Sequence, residues 1–180
     1  MTERQIRRSQ NQAQSAIADL LTVAFSGELL RPSKRLTLVS PYMSDFPVLD
    51  NGTGSFSALD PAWPATTIKM TSVLRSMLGR GSEVRLACQQ GHRENQFVRS
   101  LFEHAERDGT FELLKVHQFD KSGPLSHEKA LIADRWALHG SMNFTFSGVE
   151  LNGELVTLTT DPDRIAALAI EVGSVFKELT

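Results

Sequence analysis

Residues 127–143 read His-Glu-Lys-Ala-Leu-Ile-Ala-Asp-Arg-Trp-Ala-Leu-His-Gly-Ser-Met-Asn, an H-x-K-x4-D run followed by Gly140-Ser141-x-Asn143. No other segment ties several chemical groups together at fixed spacing, and the run occurs once. Residues two apart on a β-strand share a face, so a strand here points His127 and Lys129 the same way. An imidazole beside a fixed ammonium suits chemistry on a phosphate group. The intervals from His127 to Asn143 and from Lys129 to Ser141 share one midpoint, the arithmetic of an antiparallel hairpin turning over 134–136. That register sets Asn143 opposite His127 and Ser141 opposite Lys129, and directly opposed residues share a face. Gly140 lets the backbone approach a ligand closely.

Working outward, residues 3–30 read as a helix whose stripe includes Ile17, Leu20, Leu21, Val23, Ala24 and Phe25, with Gly27 near its end. Residues 35–40 read as a buried strand stopped by Pro41. Residues 44–66 lose periodicity and form a long loop insertion, a feature that is often functional. A helix over 66–78 ends at Gly79 and Gly81. A strand over 83–87, a helix over 94–107 and a strand over 111–116 follow. Strands over 128–133, 136–139 and 155–159 come next, and Asp161-Pro162 caps and opens a last helix. Strands and helices alternate early and strands cluster late. The expected fold is α/β, a mixed β-sheet flanked by helices on both faces, with 1–180 as one domain.

The bulk composition is that of an ordinary globular chain: 180 residues, 41% apolar, 22% charged, net charge −2. A near-neutral charge excludes a global positive field, so nucleic-acid binding has to use local patches. Candidates are Arg4, Arg7 and Arg8, then Arg31, Lys34 and Arg35, then Arg75 and Arg80; each cluster alone also reads as solvated surface charge. Cys88 is the single cysteine, which fits a reducing compartment and a buried, inert thiol. The first residues lack the apolar stretch of a signal peptide, and no run approaches the ~20 apolar residues of a membrane span. The expected location is cytoplasmic, with no membrane association.

Each polar group of the run has work to do in phosphodiester cleavage. A neutral His127 can attack phosphorus and form a covalent phosphohistidine, splitting one hard displacement into two. Lys129, Ser141 and Asn143 can hold the non-bridging oxygens and stabilise the charge that develops on them. Imidazole titrates near ~6.5, so it can also deliver a proton to the leaving oxygen. Lys129 supplies the positive charge, and the sequence shows no dense Asp/Glu/His cluster, so neither metal nor cofactor is expected. Asp134 has the opposite strand parity and is assigned to the structure, in the turn or in an ion pair. Ser40 and Tyr42 after the first strand, and His92 after the second, are candidates for substrate contacts. Trp63 and Phe56 suit base stacking or packing. His104, His117 and His139 read as ordinary structural histidines.

Taken in order, the H-x-K-x4-D run, Gly140-Ser141-x-Asn143, Phe144-Thr145 and Asn152-x-Glu154 resemble the catalytic signature of the phospholipase D superfamily. Its members cleave phosphodiesters in lipids or nucleic acids. One departure is that five residues separate Asp134 from Gly140 where the family usually has six. The resemblance implies a phospholipase D-like fold and gives Glu154 the task of orienting the catalytic histidine. It also implies a homodimer, because the family site is built from two such motifs and this chain has one. Two copies of His127 then serve as nucleophile and general acid. Short single-motif members are typically nucleases, so the leading expectation is a metal-independent nuclease acting on DNA or RNA. A narrower resemblance, in size and style, is to the DpdK proteins linked to 7-deazapurine DNA modification. The alternatives are a nucleic-acid-binding subunit of a DNA-modification, restriction or phage-defence system, with partners there, and a phospholipase or phosphatidyl transferase.

Overall fold

The computed structural model describes residues 3–9, 16–120 and 127–179. Its elements are β1 Glu3–Arg8, α1 Ala16–Leu30, β2 Arg35–Val39, β3 Pro47–Asp50, β4 Thr67–Lys69, α2 Met70–Gly79, β5 Glu83–Gln89, α3 His92–Arg107, β6 Leu114–Phe119, β7 Ala130–Ile132, β8 Ala137–Gly140, β9 Glu154–Thr159 and α4 Pro162–Gly173. Seven strands form one mixed sheet in the order β1-β9-β8-β7-β2-β5-β6, and β3 pairs with β4 apart from it. β2, β5 and β6 are parallel and the other neighbours antiparallel. Parallel neighbours need long crossovers, and the connections through α2 and α3 provide them.

The central strands bury both faces, which accounts for their near-continuous apolar runs. Leu36, Leu38, Val84, Leu86, Leu131 and Leu138 pack beneath α1, α2 and α3. Val39, Ala87, Ala130, Ile132 and Ala137 pack beneath Ile165 and Val172 of α4 and Phe176 beyond it. α1 reaches the core with Ile17, Leu21, Phe25 and Leu29, one residue per turn. α4 starts where the Asp161 carboxylate accepts from the backbone N–H of Asp163 and Arg164, with Pro162 at the first helical position. Cys88 is buried in the first core, and burial pushes its thiol up to about 11.

The expected α/β sheet with helices on both faces is the fold observed, and three local expectations are corrected. Residues 3–8 are a strand rather than the start of α1; residues 10–15, also expected to be helical, lie outside the described residues. β1 owes its conformation to pairing with β9 across the sheet edge, from Glu3 opposite Thr159 to Arg8 opposite Glu154. Its own sequence is almost wholly polar, so no period-2 pattern marks it. The 44–66 stretch contains β3, and β4 takes the residues expected to begin α2; their pairing shortens the irregular segment. The strand expected over 111–116 starts only at Leu114, after a turn of 3-10 helix at Phe111–Leu113.

The hairpin of β7 and β8 is also one residue out of the expected register. It closes on the two-residue loop Asp134-Arg135, with Ala133 N–H donating to the Trp136 carbonyl at 3.0 Å. Ala130 then faces His139, and Gly140 N–H donates to the Lys129 carbonyl at 3.2 Å. Lys129 is therefore opposite Gly140, not Ser141. The loop is pinned from outside. Glu28 of α1, 1% exposed, accepts from Ser33 N–H at 2.8 Å, Trp136 Nε1 at 2.9 Å and Arg135 Nη2 at 3.1 Å. Asp134 accepts from Lys34 N–H at 2.7 Å. A tight loop held by a buried carboxylate is what sets the register.

Gly140 stands at the other end of the hairpin with φ +154°, and a Cβ there would lie 2.2 Å from the Leu155 carbonyl oxygen. Both ends of the hairpin give measurable consequences. Glu28→Ala leaves a buried indole N–H and a backbone N–H without acceptors and should lower stability by about 3 kcal/mol. Gly140→Ala forces β8 and β9 apart and should cost about 1–3 kcal/mol. Urea unfolding followed by tryptophan fluorescence reads both losses as a lower midpoint at unchanged slope.

Candidate active site

Strand direction brings the polar residues of the motif to one edge of the sheet. Parallel β2 and β5 end there, just before Ser40 and Gln90; β7 begins there, β8 ends, β9 begins and β1 ends. Ser40, Lys129, Ser141, Glu154 and Arg8 therefore lie along one edge, although 145 residues separate Arg8 from Glu154 in the chain. Asp134 lies at the opposite end of β7, and so do Arg31, Lys34 and Arg35. Those three belong to the α1–β2 connection and the start of β2, and Arg35 is paired with Glu83 at 2.7 Å.

Ser141 is the most constrained member. Its N–H donates to the Leu155 carbonyl at 3.0 Å, and Leu155 N–H donates to its hydroxyl oxygen at 3.0 Å. Its hydroxyl donates to the Glu154 carboxylate. Glu154 is buried and also accepts from the Asn152 amide at 3.4 Å. Arg8 is the ladder partner of Glu154, so the two share a face. It is 5% exposed, donates from Nη1 to the Asn152 carbonyl at 2.9 Å, and has no partner at Nε among the described residues. Ser141, Glu154, Arg7 and Arg8 line a cleft of about 890 Å³.

Asn143 is held by a second group. Segments 43–44 and 144 run side by side through a parallel bridge between Met43 and Phe144, and Ser44 N–H donates to the Phe144 carbonyl at 3.0 Å. The Ser40 hydroxyl lies 2.8 Å from the Tyr42 carbonyl and 3.1 Å from Asn143 Oδ1, and its single hydrogen serves either. With Oδ1 turned to Ser40, the Asn143 NH₂ remains as a donor for an anion. A π-helical turn at Ser147–Leu151 packs Gly148 against Asn143, where an added Cβ would lie 2.2 Å from the Asn143 carbonyl oxygen. Single π turns are frequent at functional sites.

His127 and Lys129 precede β7 on the same edge. His127 is exposed, Lys129 is partly buried, and the Lys129 ammonium donates to the His127 carbonyl at 2.8 Å. Both line a cleft of about 320 Å³ with His139, Arg164 and Glu171. His139 Nε2 is buried and has no partner among the described residues. The structure thus joins Ser141 to Glu154 and Ser40 to Asn143, and leaves His127 and Lys129 at the same end of the sheet in a separate cleft. The expected facing of His127 with Asn143 and of Lys129 with Ser141 is not formed, because the shorter loop shifts the hairpin by one residue. Among the described residues no hydrogen bond links His127 to Glu154.

His92 opens α3 and lines a third cleft, of about 540 Å³, with Tyr42, Arg93, Asn143 and Phe146. Sequence reasoning missed the burial of Arg8 beside Glu154, and the cleft positions of Arg93 and Phe146. Arg8 sits in a polar run that reads as surface charge; only its pairing with β9 places it. Phe146, the residue directly after the Phe144-Thr145 pair, was within reach of the motif. Among the described residues no group of three or more His, Cys, Asp or Glu side chains is placed to hold a metal ion. No helix among them is long and apolar enough to cross a membrane.

Comparison with known proteins agrees with this fold. Residues 53–179 match the family described as cardiolipin synthase, PLD-like domain. No curated protein matches the sequence significantly. Among solved structures, the phospholipase D family member Nuc from Salmonella typhimurium superposes with a TM-score of 0.63 at 13% identity, over 97% of this chain and 93% of that one. NucT from Helicobacter pylori superposes with a TM-score of 0.60 at 13% identity, over 97% and 96%. Phosphatidylserine synthase from Haemophilus influenzae gives 0.59 at 17% identity, over 94% of this chain and 37% of that one. With a family match that spans most of the chain and carries the H-x-K-x4-D run, this protein belongs to the phospholipase D superfamily, whose members act on phosphodiester bonds.

Proposed function

We propose that this protein is a metal-independent phosphodiesterase that cleaves nucleic acid, with His127 as nucleophile and a second copy of the chain completing the site. The observation that supports the reading is that β7, β8 and β9 bring the motif to one end of the sheet, where Ser141 and Glu154 line a cleft with Arg7 and Arg8. The exposed Arg7 and the buried Arg8, which both line the largest of these clefts, favour a polyanionic substrate. An archaeal chromatin protein, TrmBL2, with a DNA-binding mode of its own, shares the fold at a TM-score of 0.54.

In the first step an imidazole nitrogen of His127 forms a bond to phosphorus, and the bond from phosphorus to the leaving oxygen breaks. The leaving oxygen takes a proton from the His127 imidazolium of the second copy, which becomes a neutral imidazole. In the second step that imidazole removes a proton from water, whose oxygen attacks phosphorus and releases His127. Lys129 and the Asn143 NH₂ bind the non-bridging oxygens, where negative charge grows in both transition states, and the Ser141 hydroxyl joins them by turning its hydrogen from Glu154 to the phosphate. Glu154 fixes the hydrogen-bonding direction of Ser141 and stabilises imidazolium as His127 becomes charged. Arg8 stands across the ladder from Glu154 and places a positive charge on the same face. Asp134 acts at the far end of β7 by holding the hairpin loop. A C2 dimer suits this scheme because it brings the same patch of both subunits together.

Phospholipid hydrolysis or transfer is the second reading. The family description and the phosphatidylserine synthase neighbour favour it.

The test is incubation of the protein in EDTA with labelled single- and double-stranded DNA and RNA, and with phosphatidylglycerol vesicles. Nucleic-acid cleavage that survives EDTA is expected, with a loss of at least about 10³-fold in His127→Ala. Sedimentation equilibrium should give twice the chain mass. Turnover of the vesicles alone, or cleavage that needs added metal, contradicts the proposal.

A further inference from the structure

Three aromatic side chains are about half exposed among the described residues: Phe111 at 51%, Tyr42 at 47% and Phe146 at 47%. Phe111 packs against Phe102 with ring centroids 5.6 Å apart. Tyr42 and Phe146 have no ring partner among the described residues, and both line the cleft that contains Asn143. The backbone accounts for this placement. Met43 and Phe144 form the parallel bridge and are both buried, so the residues before them, Tyr42 and Asn143, project outward together. Phe146 caps the π-helical turn at the next corner of the cleft. The opposite wall is the first turn of α3, where His92 and Arg93 are exposed and Arg93 has no ion pair among the described residues.

Two unpartnered rings, a cation and an amide donor around about 540 Å³ make a binding site of particular chemistry. The rings offer flat apolar faces, Arg93 offers a planar cation, and Asn143 joins the cleft to the phosphate-binding groups. We propose that this cleft is a stacking subsite for one unpaired nucleobase next to the scissile phosphate, so that the preferred substrate is single-stranded nucleic acid. This rests on the nuclease reading above and deepens it. A base inside a duplex is stacked on both faces and paired on its edge, so it cannot enter without being extruded. A single-stranded base meets no such barrier, and stacking on aromatic rings is tolerant of sequence. A phospholipid headgroup has no planar face to place between the rings.

The test compares a fluorescein-labelled dT 12-mer with a 12-mer of the same backbone whose residues are all abasic. Binding is read by anisotropy at fixed salt in the His127→Ala background, so that nothing is cut. The dT 12-mer should bind at least about tenfold more tightly than the abasic strand, as expected for a stacked base. Tyr42→Ala with Phe146→Ala should bring dT affinity down to the abasic value and leave abasic binding unchanged, which also shows that the double variant is folded. Tyr42→Trp should retain the preference. Equal affinity for the two strands overturns the subsite while leaving the nuclease reading intact, as does a preference that survives the double substitution. Failure to bind either strand overturns the nuclease reading itself.

Discussion

The contact between residue 140 and the Leu155 carbonyl fixes the geometry of the site. Glycine at 140 lets β8 lie against β9 so closely that the next residue, Ser141, exchanges backbone and hydroxyl hydrogen bonds with Leu155. That exchange leaves the Ser141 hydroxyl aimed at Glu154, and Glu154 is thereby buried opposite Arg8. A side chain at 140 would separate the strands and loosen all three groups at once. The glycine is thus a packing requirement whose consequence is chemical.

The other constraint is at the far end of the same hairpin. Glu28, Asp134 and Trp136 hold the two-residue loop against α1 and the start of β2. The loop fixes which residue faces which along β7 and β8, and so where Lys129 stands relative to Gly140. Asp134 thus reaches the site only through the hairpin. A buried carboxylate in contact with three donors is a rigid anchor because each donor would be costly to leave unpaired. Register at the polar edge is in this way decided about one strand length away.

Much of the fold was legible because its apolar runs are strong. Residues 35–40 read as a buried strand and 83–87 as a second strand, and the stripe from Ile17 to Phe25 reads as a helix. β1 was not legible, since Glu-Arg-Gln-Ile-Arg-Arg becomes a strand only through backbone pairing with β9. The motif residues were legible as types in order, but their mutual contacts were not. Equal spacing suggested a three-residue loop symmetrical about Arg135, and the loop has two residues. A shift of one residue changes every facing pair in a ladder. Asn143 consequently finds Ser40, a partner from β2 that local spacing could not supply.

The central claim is that His127 carries the phosphoryl group between two displacements. Stereochemistry at phosphorus tests it directly. The protein would hydrolyse a single-stranded oligonucleotide with one phosphorothioate linkage of known configuration in ¹⁸O-labelled water, and the configuration of the product would be read. Two in-line displacements restore the original hand, so the account predicts retention. Inversion would mean that water attacks phosphorus directly, and His127 would then have no covalent role.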